Sequence, residues 1–234
     1  GTFAQDTAND YQLTREEMDA YSIESLRRAN AAIENGAFAG EVVPVTFSTR
    51  AGEVTVEHDE QPGKGKPDKI PTLRPAFAKD GTITAATSSS ISDGAAAVVL
   101  TRESVAEKNG QTPVARIVAM AAHAQAPSEF TVAPVGAINK VLENAGWSAD
   151  DVELWEVNEA FACVAMFAMR DIGIPHDKIN VNGGGTALGH PIGASGTRII
   201  VTLLNALKEQ GKKRGIASLC IGGGEATAVA VELV

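Results

Sequence analysis

Apolar residues recur at intervals of three or four positions near the start of the chain, with polar residues between them. These positions are Met18, Tyr21, Ile23, Leu26, Ala29 and Ile33. The spacing predicts an amphipathic helix over residues 14–36. Thr14 and Glu17 have the spacing of a capping box at its first turn, and Gly36 suits the position after its last turn.

Beyond this helix the pattern becomes irregular. The apolar run at residues 41–47 predicts a short strand, and residues 59–71, rich in proline, glycine and lysine, predict a loop. Small residues at 88–94 indicate a turn. The apolar run at 95–100 is interpreted as a buried strand, and residues 102–109 as a helix.

The rest of the chain alternates between strand-like and helix-like periods. Strands are predicted at 114–122, 152–157 and 179–182, helices at 134–145, 160–172 and 194–210, and a closing hairpin at 215–221 and 227–233. Such alternation implies an α/β fold, in which helices cover both faces of one sheet.

Composition narrows the function classes. The hydrophobic fraction of 44% is typical of a globular protein, and the net charge of −9 argues against a general nucleic-acid binder. No apolar run is long enough to cross a bilayer, and residues 1–10 lack the apolar segment of a signal peptide. Two cysteines, Cys163 and Cys220, make no disulfide framework, so we expect a reducing, cytoplasmic location.

Four segments place polar or reactive residues at the ends of predicted elements, where α/β active sites gather. In the first, Asn158 and Glu159 lie where a strand turns into a helix. Asparagine is a favoured helix cap, so capping is the simpler interpretation of Asn158 on its own.

The second segment, residues 182–196, has six glycines among fifteen residues and contains His190. Its glycine spacing does not fit the dinucleotide-binding fingerprint. A histidine in a glycine-rich turn before a buried helix suits acid–base or oxyanion chemistry. A structural histidine bonded to backbone is the alternative.

The third and fourth segments leave similar alternatives open. Cys220 ends a predicted strand and precedes the glycines at 222–224, which offers a thiol beside free backbone N–H groups. A buried, inert cysteine is the commoner outcome. The hydroxyls of residues 88–92 suit an amide-bearing ligand, although a plain turn explains them equally well.

In chain order, three of these segments resemble the thiolase family. The matching sequences are NEAF at 158–161, GHPIGASG at 189–196 and CIGGG at 220–224, with further agreement at 73–77, 92–97 and 113–118. The resemblance covers essentially the whole chain. It implies a thiolase fold in which residues 1–91 belong to the loop domain. Residues 92–112 would then be the last strand and helix of the N-terminal domain, and 113–234 the layered, βαβαβ-type C-terminal domain.

The resemblance also implies a reaction and residue roles. Thiolases join or split 3-ketoacyl-CoA by ping-pong acyl transfer, which needs a nucleophile, acid–base groups and two oxyanion holes. By this resemblance, His190 activates the nucleophile and faces the first oxyanion hole, where Asn158 holds a water molecule. Cys220 is the general acid/base at the acetyl methyl group, and the Gly222 N–H serves the second oxyanion hole.

Coenzyme A is the implied substrate, and no permanently bound cofactor or metal is expected. Positions that match the pantetheine and adenine site are Phe77, Ala85, Ser89, Ala160 and Phe161. Lys64 or Lys66 would contact the adenine phosphate in place of the Arg or Tyr of some relatives. Pro62 stands where some relatives bind potassium through a tyrosine, so no potassium site is expected.

The family nucleophile, a cysteine in a Gly-Ser-Gly context of the N-terminal domain, has no match in Cys163 or Cys220. We therefore expect a C-terminal portion of a thiolase, inactive alone, whose intact form is a homotetramer or homodimer. Without the N-terminal domain, the helices at 160–172 and 194–210 are expected to expose apolar faces.

The sequence says least about the length of the acyl chain in the substrate. Residues 155–159 and Phe130 are similar to those of acetoacetyl-CoA thiolases, the acetyl-CoA acetyltransferase type. The alternatives are a 3-ketoacyl-CoA thiolase of β-oxidation and a non-catalytic, thiolase-like module that binds CoA. The joint presence of Asn158, His190 and Cys220 argues against the last of these, because a binding module needs no acid–base cysteine.

Overall fold

The computed structural model describes all 234 residues. The helices are α1 (Thr2–Asp10), α2 (Arg15–Glu34), α3 (Glu103–Lys108), α4 (Ala133–Ala145), α5 (Ala162–Ile172), α6 (Gly185–Leu188) and α7 (Ser195–Glu209). The strands are β1 (Val45–Thr49), β2 (Gly52–Val56), β3 (Ala115–Ala124), β4 (Leu154–Val157), β5 (Arg214–Ile221) and β6 (Glu225–Leu233). No helix combines the length and apolar character needed to cross a membrane.

Helix α2 begins with the capping box that the sequence predicts. The Glu17 backbone N–H donates to Thr14 Oγ1 at 3.2 Å, and the Thr14 N–H donates to the Glu17 carboxylate at 2.8 Å. These two bonds satisfy donors that the first helical turn leaves free. The apolar face of α2, including Met18 and Leu26, is buried as predicted.

The main sheet has four strands in the order β3-β6-β5-β4. Strands β5 and β6 form the predicted closing hairpin, β3 pairs antiparallel with β6, and β4 runs parallel to β5. The parallel pair needs a long crossover, which α5, α6 and α7 provide. The mixed α/β class is therefore confirmed.

Helices lie on both faces of this sheet. Helices α4 and α5 cover one face, where Trp155, Phe167 and Ile138 are fully buried in the larger core. Helix α7 lies on the other face, over β4 and β5, and buries Leu154 and Leu203 in a smaller core. The alternation of Leu154 and Trp155 between the two cores follows from the two-residue period of a strand.

Residues 95–100 do not form the predicted buried strand. No strand of the chain pairs with them, and Val99 and Leu100 are 96% and 72% exposed. An apolar run shows a tendency to be buried, but a strand exists only where a neighbour supplies the backbone ladder.

The predicted strand at 179–182 is reduced to a single bridge between Ile179 and Trp155. Asn180 adopts a left-handed conformation, with φ of +46°, and its side chain bonds both backbone groups of Val157. An asparagine side chain thus takes the place that the main chain of a strand would have occupied.

The strand predicted at 41–47 begins further along the chain, as β1, and pairs with β2 in an exposed hairpin. It begins directly after Pro44, a residue that has no N–H to donate to a ladder. Residues 59–71 form the expected connection, interrupted by two short 3₁₀ turns.

The expectation that α5 exposes an apolar face is wrong. Ala162–Ala165 and Phe167 are fully buried, because α4, β4 and the N-terminal helices enclose α5 within this chain. Helix α7 is half covered: Ile199 and Leu203 are buried, whereas Ile200, Val201 and Leu204 remain partly exposed.

Candidate active site

Parallel strands β4 and β5 bring two of the predicted residues to the same edge of the sheet. Val157 pairs with Ser218, and the Asn158 N–H extends the ladder by donating to Ser218 O at 3.0 Å. Cys220 follows two residues later, at the end of β5. Asn158 and Cys220 therefore lie at the neighbouring carboxyl ends of two adjacent strands.

His190 lies beside Asn158. Its backbone N–H donates to Ser90 O at 3.0 Å, and its ring Nε2 is 3.5 Å from the Asn158 amide nitrogen. One contact thus joins residues 32 positions apart in the chain. This contact brings His190 to Asn158, and the strand register places Cys220 on the strand next to Asn158.

The other ring nitrogen of His190 contacts Ser195, which sequence reasoning did not single out. Nδ1 is 2.6 Å from Ser195 Oγ, and this hydroxyl donates to Pro191 O at 3.0 Å. Because the hydroxyl proton of Ser195 is donated to Pro191 O, Ser195 Oγ accepts a hydrogen bond from the protonated Nδ1. The Nε2 lone pair then faces Asn158, which is the arrangement of a general base.

The electrostatic surroundings of His190 keep its ring neutral. Burial is the main cause that lowers the pKa of His190, and the nearby guanidinium of Arg198 lowers it further. Arg198 in turn lies 3.4 Å from the carboxylate of Glu156, which is almost fully buried on β4. Burial raises the pKa of Glu156 to about 8, so this carboxyl is largely protonated at pH 7.

Cys220 is present as a thiol. Its residue is 8% exposed, and burial raises the pKa of Cys220 to about 12. The group therefore carries its proton at neutral pH. Cys163 is fully buried in the larger core, and burial is the main cause that raises its pKa to about 12.

Gly222 lies in the exposed turn between β5 and β6, and its N–H donates to no other group of the chain. No atom lies within 4 Å of the position that a Cβ would occupy on Gly222. Gly224 fixes the turn: its φ is +101°, and its carbonyl accepts from the Gln125 N–H at 3.0 Å. The free N–H of Gly222 is therefore held by a defined turn.

Four of the predicted CoA-binding residues contact one another in pairs, and Ala85 lies apart from them. Ser89 donates through both its N–H and its hydroxyl to Ala160 O, at 3.0 and 2.9 Å. Phe77 meets Phe161 edge-to-face, with ring centroids 5.9 Å apart. Ala85 lies on a separate exposed turn nearby in sequence. Residues 88–91 form an extended segment that bridges Phe161 and His190, rather than the predicted turn.

Two residues at the site had only weak signals in the sequence. Ser195 and Arg198 lie within and just after the glycine-rich segment, one helical turn apart on α7. A spacing of five residues between a histidine and a serine is common and predicts no contact. Only the turn at Pro191 brings the hydroxyl of Ser195 to the His190 ring.

Two models of protein families match the chain. A family model described as "Thiolase, C-terminal domain" matches residues 111–233, and one described as "Thiolase, N-terminal domain" matches residues 1–104. An acetyl-CoA acetyltransferase of Yarrowia lipolytica is 48% identical over 234 residues. The alignment covers 100% of this chain and 58% of that relative, so the chain spans less than two thirds of its length.

Two solved structures are also closely similar. The acetyl-CoA acetyltransferase of Bacillus anthracis is 41% identical and superimposes with a TM-score of 0.97. The Acat5 thiolase of Ascaris suum, solved in complex with coenzyme A, is 39% identical with a TM-score of 0.90. Each superposition covers 99% of this chain and 59% of the other.

Proposed function

Because the chain belongs to the thiolase family, in its acetyl-CoA acetyltransferase type, we propose that it supplies the acid–base and oxyanion-binding part of an enzyme that makes or cleaves acetoacetyl-CoA. The contact of the Asn158 amide with the bare Nε2 of His190 is the observation that carries this proposal. It combines a base and an oxyanion donor at one point.

His190 has the first role in this proposal. Its Nε2 takes the proton from a nucleophilic thiol supplied from outside this chain, while Ser195 holds Nδ1. After acyl transfer, the ring and a water molecule held by Asn158 stabilise the oxyanion of the thioester carbonyl. A neutral imidazole at pH 7 suits the first of these tasks.

Cys220 and Gly222 act at the second carbon centre. Cys220 exchanges a proton with the methyl carbon of the acetyl group, and the Gly222 N–H stabilises the second oxyanion. The high pKa of Cys220 favours its neutral thiol, which is the proton donor when acetoacetyl-CoA is cleaved. In the synthetic direction the bound substrate has to lower this pKa.

We place coenzyme A along the segment that joins Ser89 to Ala160 and the aromatic pair Phe77 and Phe161, with Ala85 at its edge. Phe130 adds a third ring, 6.3 Å from Phe161. The similarity of Phe130 to the residue of acetoacetyl-CoA thiolases favours a short acyl group over the longer acyl groups of β-oxidation.

A chimera tests the proposed reaction. This chain replaces the part of the Yarrowia lipolytica acetyltransferase that it matches, and thiolysis of acetoacetyl-CoA is measured. We expect turnover by the chimera and none by the chain alone, because neither Cys163 nor Cys220 has the nucleophile's context. His190→Asn and Cys220→Ser are each expected to lower turnover by about 100-fold or more.

The matched control is Lys208→Gln, at an exposed position on α7. Full turnover in the His190→Asn chimera contradicts the proposed role of the ring. A folded chimera that binds CoA but never turns over favours the non-catalytic module instead.

A further inference from the structure

Glu159 is the most completely hydrogen-bonded carboxylate of the chain, and the proposed reaction gives it no task. Its side chain is fully buried at 0% exposure. It accepts five hydrogen bonds, from Tyr21 Oη, Ser25 Oγ, Asn180 Nδ2, Thr186 N and Thr186 Oγ1, at 2.8, 2.8, 2.9, 3.1 and 2.7 Å. A buried carboxylate needs such a set of donors to remain in place.

These donors belong to three parts of the chain that are distant in sequence. Tyr21 and Ser25 lie on α2, Asn180 lies in the turn that replaces the predicted strand, and Thr186 lies on α6. Helix α6 leads directly to His190, and Glu159 itself follows Asn158. One carboxylate therefore connects the backbone on either side of the Asn158–His190 contact.

The glycines before His190 are shaped around this carboxylate. A Cβ added at Gly184 would lie 2.3 Å from the carboxyl carbon of Glu159, and one at Gly185 would lie 2.8 Å from its carbonyl oxygen. The Gly184 N–H also donates to Ser25 Oγ at 3.0 Å. Only glycine allows the segment to approach so closely, which accounts for part of the glycine run.

We propose that Glu159 is a positioning residue for the catalytic pair, holding the segment 183–189 so that the His190 ring faces Asn158. The inference rests on the proposed function, since it assigns Glu159 to the same site. Glu159 acts through Thr186 and the backbone, and it does not touch the reacting atoms.

Thr186 allows this to be tested without removing the carboxylate. Thr186→Val keeps the shape of the side chain and deletes the 2.7 Å donor, whereas Thr186→Ser keeps the donor. The measurement is the ¹H–¹⁵N spectrum of the chain labelled in its histidines, with thermal melting of the same samples. His123, on β3, is the internal control.

In Thr186→Val we expect the His190 ring signals to shift and broaden while those of His123 stay at their wild-type positions. In Thr186→Ser both sets are expected to match the wild type. If Thr186→Val does not fold, Ser25→Ala removes another donor to the same oxygen from α2, with the same expected result.

A lower melting temperature with unchanged His190 signals would overturn the inference, because Glu159 would then stabilise the fold without positioning the ring. No substrate enters this experiment. Its result is therefore independent of turnover by the chimera, and the two proposals fail separately.

Discussion

At the scale of single residues, the hydroxyl of Ser195 determines which nitrogen of His190 carries the proton. The ring is bonded on one side to a serine whose own proton goes to Pro191 O, so Nδ1 has to be the protonated nitrogen. A histidine with this tautomer presents a lone pair, not a proton, to the cleft.

The first prediction concerns this hydroxyl. Ser195→Ala leaves Nδ1 without an acceptor, so the ring loses its fixed tautomer. In the chimera we expect turnover to fall by about 100-fold, with little change in KM. Ser22→Ala, which removes a buried hydroxyl that has no partner, is the matched control and should leave turnover unchanged. Equal rates for both variants would contradict the assigned tautomer.

The second prediction concerns pH. The pKa of His190 is lowered in the folded chain by burial and then by Arg198, so the folded chain binds fewer protons than the unfolded chain below the ordinary histidine pKa. The free energy of unfolding and kcat/KM should therefore both decline as pH falls from the ordinary pKa of histidine towards the lower pKa of His190. Arg198→Gln removes the cation and should move the midpoint of kcat/KM to higher pH, whereas Arg198→Lys should leave it near the wild-type position.

At the scale of elements, a contact between a buried carboxyl group and a guanidinium connects β4 with the first turn of α7. Glu156 and Arg198 are 3.4 Å apart, and Glu156 Oε1 and Arg198 Nη2 are buried without partners. Glu41 also faces this guanidinium, and burial is the main cause that raises its pKa. Two carboxyl groups beside one cation are costly to ionise together, because each is partly removed from water.

The third prediction follows from Glu156. Its pKa is raised from 4.5 to about 8 in the folded chain, so the folded chain holds a proton that the unfolded chain has lost. Stability should fall as pH rises from 5 to 8. Glu156→Gln removes this decline. At pH 8 the free energy of unfolding of this variant, measured with urea, should exceed that of the wild type by on the order of 1–3 kcal/mol. Exposed Glu107→Gln is the control, and parallel curves for Glu156→Gln and the wild type would refute the prediction.

At the scale of the whole molecule, one face of the sheet is incompletely covered. Helix α7 leaves a cavity of about 470 Å³ against strands β3, β6 and β5, lined by apolar residues that include Ile200, Leu219 and Val229. Met120 lines the same cavity and is 68% exposed. Contiguous apolar surface of this kind promotes association.

The fourth prediction is that the purified chain self-associates through this face. Each 100 Å² of apolar surface that is covered contributes about 2.5 kcal/mol. Met120→Gln should therefore reduce association, as measured by light scattering over a concentration series. Phe47→Gln, on the exposed hairpin, is the matched control for a large apolar residue elsewhere. A wild-type chain that stays monomeric at high concentration would contradict the prediction.

The predicted domain boundaries and the intact enzyme's homodimeric or homotetrameric state remain predictions.

Local sequence information determined most of the helices and the segments that carry the site. The start of α2 follows from Thr14 and Glu17, which are three residues apart and act within one turn. Helices α4, α5 and α7 and the closing hairpin follow from hydrophobic period. The order NEAF, GHPIGASG and CIGGG identified the family, because chemistry-bearing residues stand beside turn residues at fixed spacing.

Tertiary structure alone decided whatever depends on partners distant in the chain. Residues 95–100 have the composition of a strand, yet no neighbour pairs with them, and at 179–182 an asparagine side chain replaced the expected ladder. The tautomer of His190 depends on a turn that folds Ser195 back to its ring. The five donors around Glu159 come from segments up to 138 residues away. Hydrophobic periodicity could not predict these contacts, because it shows which face of an element is buried and not which residues cover that face.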